Sequence, residues 1–299
     1  MDKTISIFII SERLNKVNNA KSEKKYKDKP IKIELYNDNF QNYKRYNIPK
    51  AQLVIADIPY RLEEKAYASS PKWYKNGDNS NGESKFANKS FFKTDEIFRI
   101  AEYMHFCSKL LIKEPKERGK APAMIVFCSF EQIPIVVEYG KKYGFAHNYP
   151  IFFIKNYSAQ VLKANMKIVG AVEHAVVLYR DKLPKFNNTD ENGDRHMIFN
   201  YFIWKRDNQK IYPKIHPTQK PVNILKKLIE IFTDEKDVVI DPVAGSGSTL
   251  RACMELNRSC YGFEVEKEFY RSAKEKMLNA KINDNLFSKE FKHENRTII

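Results

Sequence analysis

No two of the four cysteines, Cys107, Cys128, Cys253 and Cys260, form a C-x-x-C pair. That leaves zinc-ribbon and thioredoxin-type chemistry without support. Cys128 and Cys260 sit in strand-like runs and read as small buried hydrophobes of a chain kept reduced. A cytoplasmic location is therefore expected. His105, His147, His174 and His196 lack metal-ligand spacing, so no metal is expected. Long apolar runs are missing too. Ile5 to Ile10 is apolar but far too short to span a bilayer, and no small-residue cleavage site follows it. No membrane partner is expected, and the chain has no internal repeat.

What the chain has in excess is positive charge. Its formal net charge is +15 with a pI near 9.4, which favours a polyanionic partner, because Lys and Arg displace counterions from phosphates. Hydrophobic residues make up 42% of the chain, enough for a sizeable core. The lysine-rich run from Lys21 to Lys32 reads as a solvated linker.

Strand and helix signals alternate. Ile31 to Leu35, Leu53 to Ala56, Met124 to Cys128, Ile151 to Ile154 and Ala175 to Leu178 predict strands, several of them continuous apolar runs suited to burial on both faces. Helices are predicted over Ile97 to Leu111 and Ile133 to Tyr143. Pro221 opens another helix, with Val222, Leu225, Ile229 and Phe232 on one face. A strand over Val238 to Ile240, a glycine turn into a helix, and a strand over Cys260 to Phe263 follow. Glu266 then starts a last helix. This alternation predicts an α/β fold whose parallel sheet is covered by helices on both faces. Between Ala68 and Lys93 lies a long polar stretch, and residues 180 to 213 are irregular, polar and aromatic.

Two turns carry chemistry. Asp241-Pro242-Val-Ala-Gly245-Ser246-Gly247-Ser248-Thr249 links a strand to a helix. Glycines there let the backbone approach a ligand, and the helix N–H groups favour its anionic end. Glu264, ending the next strand, is placed to accept hydrogen bonds from ribose hydroxyls. Leu250 interrupts the full dinucleotide fingerprint, which argues against a nicotinamide enzyme. The second turn, Asp57-Ile58-Pro59-Tyr60, lies at the carboxyl end of a buried strand, the edge where open α/β sheets bind ligands. The exocyclic amine of a base is a poor nucleophile, because its lone pair is delocalised into the ring. A carboxylate and a backbone carbonyl that accept its N–H bonds favour a nucleophilic nitrogen. Asp57 supplies such a carboxylate, and Tyr60 can stack on an extruded base. Taken alone, these four residues also describe a plain strand-to-loop turn with a capping aspartate.

In order, Asp57-Ile-Pro-Tyr60, His216-Pro-Thr-Gln-Lys-Pro221 and Asp241-Pro-Val-Ala-Gly-Ser-Gly247 resemble the β group of amino-DNA methyltransferases, in which the D-P-P-Y motif precedes the cofactor motif. The resemblance covers roughly residues 31 to 280. It implies a class I S-adenosylmethionine-dependent methyltransferase fold, a mixed, mostly parallel sheet with an antiparallel edge strand. It also implies methyl transfer from S-adenosylmethionine to N6 of adenine in DNA. Cytosine-N4 methylation is the alternative, because members with serine at the Asp57 position are typically cytosine enzymes. A degenerate DNA-binding relative is a further alternative, motivated by Ile58 and Val243, which replace a proline and a phenylalanine of the family pattern.

The resemblance also assigns roles. Asp57 and the carbonyls of Ile58 or Pro59 would hold the amine, and Tyr60 would stack on the base. Asp38, Asp241, Pro242, Gly245, Ser246, Gly247, Ser248, Thr249 and Glu264 would surround the cofactor. Thr218, Gln219 and Lys220 would approach its carboxylate. Lys72, Trp73, Lys75, Lys85 and Lys89 are the expected DNA contacts. The expected organisation is an N-terminal segment and basic linker (1–30), a catalytic half (31–156), a target-recognition region (157–213), a cofactor half (214–285) and a basic tail (286–299). A homodimer and a cognate restriction endonuclease are further expected partners.

Overall fold

The computed structural model describes residues 30–60, 98–157, 160–163, 166–189, 192–216 and 218–279. The five expected DNA-contact residues, Lys72, Trp73, Lys75, Lys85 and Lys89, and the basic tail lie outside these segments.

The first half of the chain supplies β1 (Ile33–Tyr36), β2 (Leu53–Asp57), α1 (Ile100–Leu110), β3 (Ala123–Cys128), α2 (Ile133–Lys142) and β4 (His147–Lys155). The middle adds a hairpin of β5 (Gln160–Lys163) and β6 (Ile168–Gly170), then β7 (Val172–Tyr179) and β8 (Tyr201–Trp204). The last third supplies α3 (Val222–Phe232), β9 (Val238–Asp241), α4 (Ser248–Glu255), β10 (Ser259–Phe263) and α5 (Lys267–Ser272), which runs on as a π-helical turn over Ala273–Leu278. Eight strands form one sheet in the order β1-β10-β9-β2-β3-β7-β4-β8, and β5 and β6 pair separately.

The continuous apolar runs have a direct cause. Alternate side chains of β2 and β3 enter different cores on the two faces of the sheet. Leu53, Ile55, Ala123, Ile125 and Phe127 pack toward α3 and α4. Val54, Ala56, Met124, Val126 and Cys128 pack toward α1 and α2. All four cysteines are buried and free, as the strand-like surroundings of Cys128 and Cys260 predicted for those two. Residue Gly262 of β10 lets α4 approach the sheet, since a Cβ there would lie 2.7 Å from Leu250 Cδ1. Helix α3 begins where the Val222 N–H donates to Asp207 Oδ2 at 2.6 Å, so a distant carboxylate supplies its cap.

The antiparallel strand differs from expectation. It is β7, which pairs antiparallel with both β3 and β4. It therefore lies inside the sheet, and the outer edge is β8, parallel to β4. Both edges of β7 carry hydrogen bonds, and Ala175, Val176, Val177 and Leu178 are buried. Two strands of the 157–213 region, β7 and β8, thus belong to the central sheet. The first strand also begins two residues later than predicted, at Ile33.

Candidate active site

Strands β1, β10, β9, β2 and β3 run parallel, so their carboxyl ends share one edge of the sheet. Asp38, Glu264, Asp241 and Asp57 lie at or just beyond those ends. From β2 the chain crosses to β3 on one side, and from β9 to β10 on the other. The reversal between β9 and β2 creates the crevice in which such sheets bind ligands.

On the β9–β10 side, Gly245 and Gly247 adopt positive φ values of 51° and 75°, a conformation glycine tolerates without steric cost. They fold the chain between Asp241 and α4. The Gly245 N–H donates to Glu264 Oε2 at 2.8 Å, and the Glu266 N–H to Oε1 at 2.7 Å. The Val243 N–H donates to Asp241 Oδ1 at 3.1 Å. Ser246 and Ser248 share a hydroxyl hydrogen bond of 2.7 Å. Burial pushes both carboxyls up, to about 7 for Asp241 and about 7 for Glu264. Two half-neutralised acids beside a glycine turn fit a ligand that brings hydroxyl donors and positive charge.

The other expected cofactor residues serve the loops around this turn. Asp38 accepts from the Asn39 N–H (2.8 Å), Asn42 Nδ2 (2.7 Å) and the Tyr46 hydroxyl (2.9 Å). It thereby braces the 3₁₀ turn Phe40–Arg45. Asn37 Nδ2 ties that loop to the Glu264 carbonyl at 2.9 Å. Gln219 accepts from the Ile215 N–H and donates to the Pro213 carbonyl, and the Thr218 hydroxyl lies 3.2 Å from His216 Nδ1. The His216 ring approaches Gly245 and lies 4.4 Å, centroid to centroid, from the Phe269 ring. Its burial, with Lys220 and Lys214 nearby, lowers it to about 4, so it is neutral at pH 7.

On the β2 side, Asp57 ends its strand. The Ile58 N–H donates to the Phe127 carbonyl at 3.1 Å, and the Ile58 side chain is buried in the core. A proline here would lose that bond, which gives the departure from D-P-P-Y a structural basis. Gln132 Nε2 donates to the Pro59 carbonyl at 2.8 Å, and its Oε1 accepts the Ser129 N–H. The turn is thus fixed from β3. Lys220, expected toward the cofactor's carboxylate, sends its ammonium to Asp57 Oδ2 at 2.6 Å and to Glu173 Oε2 at 3.2 Å. Glu173 also accepts from the Tyr60 hydroxyl at 3.1 Å and pairs with Lys155.

Asp57 keeps 28% of its side-chain surface open, yet its Oδ1 is buried and accepts no hydrogen bond from the described residues. Burial pushes the Asp57 carboxyl up, and Lys220 counteracts this. Burial also opposes the charge on Glu173, but Lys220 and Lys155 outweigh it and hold that carboxyl at about 2. Glu173 and Lys155 join this cluster without having been singled out in the sequence. The one signal for them was charge inside otherwise apolar strand sequence. Trp204, within the 180–213 stretch read as irregular, is a buried strand residue.

This strand order and acidic edge define the class I S-adenosylmethionine-dependent methyltransferase fold. Solved structures share it, two of them as follows. The M1.HpyAVI–SAM complex aligns with a TM-score of 0.55 at 22% identity, covering 81% of this chain and 97% of that one. The cytosine-N4-specific PvuII DNA methyltransferase aligns with a TM-score of 0.56 at 14% identity, covering 84% and 88%. The particular family follows from sequence: residues 51–275 match the N6/N4 DNA methylase family, and the chain belongs to it. S-adenosylmethionine is the cofactor of this family. The type II methyltransferase M.HindIII of Haemophilus influenzae is 28% identical over 242 residues, 78% of this chain and 74% of that protein. M.HpaI of Haemophilus parainfluenzae is 42% identical over 64 residues, 21% of this chain and 20% of that protein. No helix among the described residues is long and apolar enough to cross a membrane.

Proposed function

We propose that this DNA methylase transfers the methyl group of S-adenosylmethionine to N6 of adenine, with Asp57 as the acceptor for the target amine. The observation that carries the reading is the buried Oδ1 of Asp57 at the strand edge, unpartnered among the described residues. An orphaned acceptor is costly to bury, and an incoming N–H donor satisfies it. The aspartate, rather than serine, favours adenine over cytosine. Tyr60 stacks on the extruded base, and the Ile58 or Pro59 carbonyl accepts the second N–H.

Asp241, Pro242, Gly245, Ser246, Gly247, Ser248, Thr249 and Glu264 hold the cofactor in this reading. Glu264 takes the ribose hydroxyls, as two acidic oxygens held by backbone N–H groups suit that task. Asp38, Thr218 and Gln219 shape the surrounding loops. The cofactor supplies an electrophilic methyl on a sulfonium. The chain's own residues orient the amine, exclude water and keep the reacting groups in line. Aligned reactants account for roughly 7–11 kcal/mol of rate enhancement.

Recognition falls to the parts of 157–213 outside the sheet. The β5–β6 hairpin connects the end of β4 to the start of β7. His174 of β7 pairs with Cys128 of β3, so the hairpin rises from the same edge as Asp57. It exposes Leu162, Met166, Ile168 and Val169, apolar side chains suited to contact unstacked bases. Lys72, Trp73, Lys75, Lys85 and Lys89 add phosphate contacts. A dimer and a cognate endonuclease belong to the same proposal. Digesting DNA methylated by the protein and weighing the nucleosides tests the reading. N6-methyladenine supports it, and N4-methylcytosine alone replaces it with the cytosine reaction.

A further inference from the structure

Lys220 bridges two carboxylates that come from different strands. Its ammonium lies 2.6 Å from Asp57 Oδ2 and 3.2 Å from Glu173 Oε2. Three rings surround it, with centroids at 5.2 Å (Tyr60), 5.4 Å (Phe127) and 5.8 Å (Trp204). The side chain is 7% exposed. A lysine buried this deeply keeps its charge only through its partners. Lys155 pairs with the other oxygen of Glu173, so two cations balance two anions. The Tyr60 hydroxyl is held by the Glu173 oxygen that Lys220 contacts.

Geometry divides the two oxygens of Asp57. Oδ2 is taken by Lys220, and Oδ1 is buried with no hydrogen-bond partner among the described residues. We infer that Lys220 and Glu173 are positioning residues: Lys220 fixes Asp57 through Oδ2 and presents Oδ1 as the acceptor for the target amine, while Glu173 anchors both Lys220 and the Tyr60 ring. This rests on the reading of Asp57 as the amine acceptor. It reassigns Lys220 away from the cofactor's carboxylate.

Among the described residues, the charged and titratable groups facing Asp57 are Lys220, Glu173, Tyr60, Cys128 and Asp241. Lys220 is the cation among them. Replacing it leaves burial and Glu173 to push Asp57 toward its neutral form. A protonated Asp57 is a poorer acceptor, so transfer fails at low pH and returns as pH rises. Removing Glu173 has the opposite electrostatic sign on Asp57, because a like charge disappears. A purely structural role would not separate the two variants in this way.

The test follows the Asp57 carboxyl by NMR with ¹³Cγ-labelled aspartate, assigned with Asp57→Asn. Single-turnover transfer is measured against pH on the same full-length proteins. In Lys220→Met, the Asp57 midpoint and the acid limb of the rate should both rise by at least about one pH unit. S-adenosylmethionine affinity should stay within about twofold of the parent. Lys220→Arg, which keeps the charge, should hold the midpoint near the parent value and guards against a Met variant that misfolds. Glu173→Gln should not raise the midpoint, but should slow transfer by loosening Tyr60. An unmoved midpoint in Lys220→Met overturns the inference, as does a fall in cofactor affinity with an unchanged acid limb. If the parent protein transfers no methyl group, the functional reading fails, and the NMR midpoints still decide whether Lys220 controls Asp57.

Discussion

Cofactor affinity should depend on pH across neutrality, because two carboxyls on the cofactor side lie at about 7. Burial raises Asp241 and Glu264 from ordinary values of 3.8 and 4.5. Near pH 6 both are largely protonated in the free protein, and near pH 8 both are largely ionised. A cofactor that brings hydroxyl donors and a sulfonium charge binds the ionised forms, so binding releases protons. The sign is therefore definite: affinity rises with pH and levels off above the free-site values. For one carboxylate that must ionise, the affinity gained between pH 6 and pH 8 is about tenfold, or about 1.4 kcal/mol. If both must ionise, it approaches about a hundredfold by the same relation. Calorimetry in buffers of different ionisation enthalpy measures both affinity and proton release. Glu264→Gln is the internal control, since titration of the cofactor itself is common to parent and variant. The variant should bind more weakly and lose about one power of ten from the pH dependence. Equal pH dependence in the two proteins would refute the reasoning.

Three further outcomes follow from local geometry. Gly262→Ala places a methyl 2.7 Å from Leu250 Cδ1 and 3.2 Å from Ala244 Cβ, so denaturant unfolding should show a loss of about 1–3 kcal/mol; parent-like stability contradicts the close approach of α4. Ile58→Pro restores the family's proline but removes the hydrogen bond to the Phe127 carbonyl and a buried side chain. Urea titration should find it less stable by about 1–3 kcal/mol, and a gain would show that the bond contributes nothing. Tyr60→Ala should slow transfer on duplex DNA more than on mismatched DNA, since about 1–3 kcal/mol of stacking is lost where base extrusion is hardest; equal losses on both substrates would remove the stacking role.

The central strands were legible because they are buried on both faces. Leu53 to Ala56 and Met124 to Cys128 serve two cores, so their sequences are apolar without interruption. The glycine turn and α3 were legible for local reasons, positive φ and a one-sided apolar face. Strand β8 was not: four residues at an edge, one of them buried, leave no period to read. The β5–β6 hairpin was missed because its apolar side chains face outward. The interior position of β7 depends on pairing partners on both sides, which no strand announces in its own sequence. The pairing of Lys220 with Asp57 was not legible for a similar reason. Its motif sits beside the cofactor turn, but a long side chain crosses to a carboxylate 163 residues away in sequence. Long-range charge pairing is set by the completed fold, not by local pattern.

The central claim is that Asp57 serves the target amine and the Asp241–Glu264 side serves the cofactor. Asp57→Asn tests it most directly, because it keeps the shape of the side chain and removes the charge. Single-turnover methyl transfer and S-adenosylmethionine affinity are measured on the same preparation. Transfer should fall by about a thousandfold or more, as for loss of a group acting on the reacting atoms, while cofactor affinity stays within about twofold. Transfer near the parent rate, or a loss explained wholly by weakened cofactor binding, would contradict the account.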